Sequence, residues 1–203
     1  MLLLGRSKGR YYEYMKQSDE DIAALIKNGD EAAFALLMTR YEPKLLRYGT
    51  RFIGSLGRDV LDQAVQDIFI SAYQNIESFD ASQRFSPWIY RIAHNTFVDI
   101  LRKKTKERLY GFDFDTLLSH AVHEDTFAKE KENSEVRVLL EKGLSALPAP
   151  QREIITLYYF EELTYKEIAD VLHVPISTVG VRLIRARAAL KKKLPPSAAS
   201  LLQ

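Results

Sequence analysis

Cysteine is absent from the 203 residues, which removes disulfide frameworks, thiolate zinc sites and cysteine nucleophiles in one step. No oxidising compartment is needed, so a cytoplasmic location is the expectation. Long apolar runs are missing too. Nowhere do about 18 apolar residues follow one another, the length a membrane-spanning helix requires, and the apolar start from Met1 to Leu4 is far too short for a signal-peptide core. Glycine is sparse, with nine residues, and no stretch alternates strictly between apolar and polar, so a sheet is not expected. There is no Gly-rich phosphate loop and no Ser/His/Asp order of the hydrolase kind. Of four histidines only His120 and His123 are close, beside Glu124 and Asp125. That cluster resembles a metal clip, but its segment lacks the regular apolar spacing that would hold a supporting shell. The expectation is no metal, no cofactor and no enzyme.

What is present is charge, arranged in blocks. The formal net charge of +2 conceals +3 over residues 1–17, −5 over 18–83, +5 over 84–108, −5 over 110–135, −2 over 136–170 and +6 over 171–203. Two separated basic blocks suggest two contacts with a polyanion. Either block taken alone is also compatible with a solvated helix face.

Apolar spacing is helical almost throughout. Ile22, Leu25 and Ile26 are followed, past Asn28-Gly29-Asp30, by Ala33, Phe34, Leu37, Met38 and Tyr41. From about Asp59 a stripe of Leu61, Ala64, Val65, Ile68, Phe69, Ala72, Tyr73 and Ile76 predicts a third helix, with Asp62, Gln63, Gln66 and Asp67 on its polar side. Ser86 followed by Pro87 predicts an N-cap and first turn for a helix running to Lys103 or Lys104. Residues 109–134 lose the spacing and gather acid, which predicts a linker. Helical spacing returns at Val136 and continues through Leu147, is broken by Pro148 and Pro150, and resumes with Ile154, Ile155, Leu157 and Tyr158.

The segment from Thr164 to Arg187 has the layout of a helix-turn-helix. Thr164 and Glu167 form a capping-box pattern, a helix to Leu172 follows, His173-Val174-Pro175 turns the chain, and Ser177 or Thr178 is expected to cap a final helix ending before Pro195-Pro196. Ile168, Ala169, Leu172, Val174, Ile176, Val179 and Leu183 are the predicted packing residues. Arg182, Arg185 and Arg187 make the second helix basic, as a helix entering the major groove requires. A plain helical hairpin with a solvated basic face is the bland alternative. In the middle basic block, Phe79, Phe85, Trp88, Tyr90 and Phe97 are interleaved with Arg84, Arg91 and Arg102. Rings among cations suit single-stranded nucleic acid, although Trp88, Ile89, Ile92, Ala93, Phe97 and Ile100 also make a sensible core stripe, and Trp88 is expected in the core.

Phe85-Ser86-Pro87-Trp88-Ile89-Tyr90-Arg91-Ile92-Ala93-His94-Asn95, with Val98-Asp99 and Arg102-Lys103-Lys104 after it, resembles regions 2.3 and 2.4 of the extracytoplasmic-function bacterial sigma factors. Val65-Gln66-Asp67-Ile68-Phe69 is similar to that family's region 2.2, and Ala24 to Tyr41 to its region 2.1. Leu163 to Ala169, Val174-Pro175, Thr178-Val179, Arg182-Leu183 and Arg185-Ala186-Arg187 are similar to region 4.2. Together these fragments cover about Ser18 to Leu194 in the family's order.

The resemblance implies an all-α, two-domain initiation subunit without enzymatic activity or cofactor. It divides into an extension at 1–17, a region 2 domain at 18–108, the acidic linker at 109–134, a region 4 domain at 135–194 and a tail at 195–203. By similarity, Asp62, Gln63, Gln66, Asp67 and Phe69 bind core RNA polymerase at its β′ clamp helices, and region 4 meets the β flap. Asp80, Ser82, Arg84, Phe85, Arg91, Asn95, Arg102 and Lys103 bind and open the promoter −10 element, gripping a base flipped from the non-template strand. An amide such as Asn95 can both donate to and accept from a base edge. Thr164, Ser177, Thr178, Val181, Arg182 and Arg185 read duplex DNA at the −35 element. An anti-sigma protein is expected as a further partner. The chain departs from the pattern at Gln63, where Asp is common, at His173, where glycine is common, and at Gly180, which replaces a lysine. Met15 is an alternative start. A stand-alone helix-turn-helix regulator is the rival reading, but it leaves Phe79 to Lys104 unused. A coil of about 24 residues averages roughly 27 Å and reaches about 80 Å, whereas elements one and a half to two helical turns apart lie about 50–70 Å apart. The linker is therefore expected to run extended.

Overall fold

The computed structural model describes residues 16–53, 56–108 and 135–195. The predicted linker, the His120/His123 cluster and Met15 lie outside these residues, as do nearly all of the 1–17 extension and of the tail. All regular structure among the described residues is helical.

The first unit begins with α1 (Asp19–Lys27), where Ser18 caps the helix reciprocally with Asp21. Gly29, at φ +94°, turns the chain through a short 3-10 segment into α2 (Phe34–Ile53). Helices α3 (Arg58–Gln74) and α4 (Phe85–Arg108) complete the bundle. Leu37, Leu45, Tyr48, Ile68, Ile89 and Phe97 are among its fully buried residues. The close approach at its centre requires Gly49. A Cβ there would come within 2.4 Å of Leu61 Cδ1 and 2.8 Å of Phe97 Cζ, so even alanine would force these packed side chains to shift.

The second unit contains α5 (Glu135–Ser145), α6 (Ala149–Ile155), a π-helical turn (Thr156–Phe160), α7 (Tyr165–Leu172) and α8 (Ile176–Lys193). Pro148 sits at the N-cap of α6, ending the preceding segment as the sequence predicts. The two units pack directly on each other, α6 against α2 and α7 against α4.

Two helix starts differ from expectation. Helix α4 begins at Phe85 rather than Pro87, so Ser86 lies inside the first turn and is not its cap. The Phe85 N–H instead donates to the Glu20 carboxylate of α1 at 2.8 Å. Helix α8 begins at Ile176 with Pro175 at the N-cap and no side-chain cap, so Ser177 and Thr178 stand in its first turn. Trp88 is buried, as expected, but Ile176 is exposed and Val174 half-buried. The turn places Ile176 beyond the contact between α7 and α8.

Candidate functional site

The helix-turn-helix is assembled by local chemistry. Thr164 and Glu167 satisfy each other's free N–H groups: Thr164 N donates to Glu167 Oε2 at 2.7 Å, and Glu167 N to Thr164 Oγ1 at 3.3 Å. His173 ends α7 at φ 52°, ψ 45°. This left-handed conformation costs a non-glycine residue roughly 1–2 kcal/mol, the physical reason a glycine would suit this position better than histidine. Ile168, Ala169 and Leu172 of α7 and Val179, Leu183 and Ala186 of α8 are all buried, and the two helices pack on each other. This leaves Ser177, Val181, Arg182 and Arg185 on the open face of α8, with Thr178 half-buried beside them and Thr164 exposed at the start of α7. Ile184, missed at the sequence level, is 67% exposed on the same helix.

A Cβ at Gly180 would meet only Tyr165 Cε2, at an ordinary 3.6 Å, so nothing in the packing requires glycine. Gly180→Ala is expected to stabilise the chain by about 1 kcal/mol through helix propensity. Thermal denaturation should show a Tm higher by roughly 2–4 °C; an unchanged or lower Tm would mean that the contact with Tyr165 is not benign.

In the first unit, residues 80–84 form a wholly exposed loop between buried Phe79 and Phe85. Asp80 Oδ1 accepts from Ser82 N, and Gln83 N donates to Asp80 O, each at 2.9 Å. The Ser82 backbone and hydroxyl hold the Asp80 carboxyl below its ordinary value, aided by the Lys27 ammonium. Beyond the loop, Arg91, Asn95 and Arg102 project from one exposed face of α4, since spacings of four and seven nearly complete whole turns. Lys103 is exposed beside them, and Asp99 pairs with Arg102 at 3.5 Å. Phe85 is the exception among the expected DNA-contact residues. It is 0% exposed, packed edge-on against Phe79 and Tyr41 and tilted against Trp88, so its ring is part of the core and is not displayed to a ligand.

A groove of about 700 Å³ runs between α2 and α3, lined by Phe34, Met38, Leu46, Asp62, Val65, Gln66, Phe69, Ile70 and Tyr73 among others. Asp62, Gln66 and Phe69 of the expected polymerase contacts line it. Gln63 and Asp67 are exposed on α3 and bonded to each other at 2.9 Å. Arg58 chelates Asp62 with contacts of 2.8 and 3.0 Å. Ile70, Met38 and Tyr73 are exposed apolar residues at the groove. Periodicity had placed the last two in apolar stripes, which shows the face of a helix but not which edge of that face stays open.

The units meet through a polar cluster that the sequence did not announce. Tyr48 Oη donates to Glu153 Oε1 at 2.5 Å, and His94 Nδ1 lies 2.7 Å from the same oxygen. Tyr90 Oη donates to Glu161, Arg51 pairs with Glu141 at 2.5 Å, and the Arg51 guanidinium lies 4.0 Å over the Phe160 ring. Arg84, of the −10 set, reaches Glu167 of the α7 capping box at 3.0 Å. Burial, followed by the neighbouring carboxylates, pushes the Tyr48 and Tyr90 hydroxyls well above their ordinary values, so both remain donors. Burial also raises the Glu161 carboxyl, opposed by Tyr90 and by Lys44, Arg51 and Arg47.

Comparison with known proteins is consistent across the chain. Residues 37–107 match the model of sigma-70 region 2, and residues 137–190 match sigma-70 region 4. The chain is 34% identical over 175 residues to the ECF RNA polymerase sigma factor SigW of Bacillus subtilis, covering 83% of this chain and 92% of that protein. It is 33% identical over 186 residues to the ECF RNA polymerase sigma-E factor of Escherichia coli K12, covering 88% and 95%. Among solved structures, CnrH in complex with the cytosolic domain of CnrY superposes with a TM-score of 0.61 at 25% identity, covering 87% of this chain and 96% of that one. RpoE of Bartonella quintana, in complex with the anti-sigma factor NepR, superposes with a TM-score of 0.62 at 25% identity, covering 79% and 95%. The region 2 match accounts for the segment that a stand-alone helix-turn-helix regulator would leave unused. No helix among the described residues is long and apolar enough to cross a membrane. An exposed loop beside a basic helix face, a basic second helix in the helix-turn-helix and a groove between α2 and α3 thus occur in a chain whose two halves match the family's two regions, and the chain belongs to the extracytoplasmic-function sigma factors of the sigma-70 family, transcription initiation factors that are not enzymes.

Proposed function

We propose a division of this initiation function among three surfaces, with 18–108 and 135–194 as working domains, 1–17 and 195–203 as flanking segments and 109–134 as the connection. The groove between α2 and α3 takes the β′ clamp helices of core polymerase. Its exposed Met38, Ile70 and Tyr73 supply apolar area, and Asp62 and Gln66 supply polar orientation. The loop 80–84 and the Arg91, Asn95 and Arg102 face hold the melted −10 strand. The outward face of α8 reads the −35 duplex, and region 4 also contacts the β flap. The observation that carries this reading is the exposed loop 80–84 next to that face, on the same bundle as the groove. Asp80, Ser82, Arg84 and Lys103 belong to the −10 contacts; Phe85 supports them from below. Thr164, Ser177, Thr178, Val181, Arg182 and Arg185 form the −35 contacts. Gln63 and Asp67 flank the clamp-helix groove. An anti-sigma protein covering the groove is the expected regulator.

The closed arrangement of the two units has a geometric consequence for this reading. Arg84 and Glu167 lie 3.0 Å apart, whereas −10 and −35 elements are separated by about 50–70 Å of duplex. The described conformation cannot engage both elements, so the units separate before or during promoter binding. Reconstituted transcription with core polymerase on a genomic DNA library tests the function as a whole. Start-site-specific transcripts that require both core and this chain are expected, and their absence would overturn the reading.

A further inference from the structure

Helix α1 lies outside the span that matches region 2, yet it holds both ends of the exposed loop. Glu20 and Lys27 stand seven residues apart, two turns along one face of α1. Lys27 Nζ donates to the Phe79 carbonyl at 2.9 Å, and Glu20 Oε1 accepts from the Phe85 N–H at 2.8 Å. These backbone groups belong to the residues immediately before and after the loop 80–84. Both bonds are charge-assisted and so stronger than neutral ones. The Glu20 carboxylate also sits at the N-terminus of α4, where the helix dipole favours an anion.

Below the loop, the rings of Phe79, Phe85 and Trp88 pack with pairwise centroid distances of 5.4 Å. Above it, Asp80 and Ser82 close the tip. The segment is therefore exposed along its whole length but held at both ends. A carboxylate beneath a nucleic-acid surface contributes nothing favourable to phosphate binding, so its place there calls for another role. Fixing the loop lowers the ordering cost of gripping a base.

We propose that Glu20 and Lys27 are positioning residues that set the geometry of the 80–84 loop and, through it, the base preference at the flipped position of the −10 element. This rests on the reading of the loop as a −10 contact. The test uses the full chain with core polymerase on templates whose −10 region is already unpaired, with each of the four bases placed in turn at each non-template position. The unsubstituted chain is expected to prefer one base about tenfold, the scale of a single base-edge contact. Lys27→Met and Glu20→Ala should reduce that preference to about threefold or less, leaving core affinity unchanged, while Glu20→Gln, which still offers an acceptor to Phe85, should restore it. A purely structural role would lower output equally for all four bases, and that result overturns the proposal. So does an unchanged preference in both variants. Ser82→Ala with Arg84→Ala separates the underlying reading. If these loop substitutions leave the preference intact, the loop's assignment fails and the proposal falls with it; if they flatten it while Lys27→Met does not, the proposal alone fails.

Discussion

A full-length chain tethered between Lys44→Cys and Glu162→Cys is expected to lose start-site-specific transcription almost completely. The two positions line the same small cleft between the units, and neither belongs to the proposed DNA or polymerase contacts. The natural chain has no cysteine, so a short bis-maleimide reagent joins these two sites alone. A tether of about 10–15 Å cannot span promoter elements that lie about 50–70 Å apart. The same doubly substituted chain without reagent, or with one maleimide on each cysteine, should transcribe at nearly the unsubstituted rate. Opening separates Tyr48 and His94 from Glu153, Tyr90 from Glu161, and Arg51 from Glu141. Binding to core and DNA must offset that cost: the separated groups become hydrated, so each hydrogen bond lost costs about 0.5–1.5 kcal/mol net, and about 1.5–3 kcal/mol where a charged group takes part. Full activity of the tethered species would show that both elements can be engaged with the units closed, against the geometry derived above.

Replacing Arg182 and Arg185 together by alanine is expected to produce the second large loss. Both are exposed on α8 while Val179, Leu183 and Ala186 hold the helix in place from the other side, so folding should be unaffected and Tm unchanged. Each good contact to a base edge contributes about 1–3 kcal/mol, so the pair together should cost about 2–6 kcal/mol, roughly 30- to 25,000-fold in −35-dependent initiation. Lys191, Lys192 and Lys193 provide the contrast. They lie at the far end of the same helix, where a phosphate contact is the expected role. Their removal should weaken binding evenly across sequences and lower the salt dependence by about one unit of slope each. Competition between promoter variants with altered −35 bases distinguishes the two kinds of contact. Equal loss on all variants for the Arg182/Arg185 double substitution would remove them from sequence reading.

The capping box at Thr164 and Glu167, the turn at His173-Val174-Pro175 and the basic face of α8 were legible because each depends on residues within a few positions of one another. The polar and apolar sides of α3 were legible for the same reason, by periodicity. What periodicity could not assign was the status of residues at the edge of a stripe. Met38 and Tyr73 have the spacing of core residues but border the groove, whereas Phe85 sits among cations and is buried. Its burial depends on Phe79, Tyr41 and Trp88 converging on it, which no local pattern reports. The start of α4 was misplaced by two residues because its cap comes from Glu20, 65 residues earlier in the chain.

By itself, then, the sequence determined the helical class, the order of the regions, the alternation of acidic and basic blocks and the basic character of α8. All of these follow from short-range spacing and from side-chain type. Only the tertiary structure decided which side of each stripe faces solvent, which carboxylates are buried against tyrosines, and how α1 holds the loop 80–84. It also decided that the two units close on each other through Glu153, whose partners Tyr48 and His94 lie 105 and 59 residues away. Contacts at such separation depend on how whole helices dock, and docking is set by the summed burial of many side chains rather than by any motif.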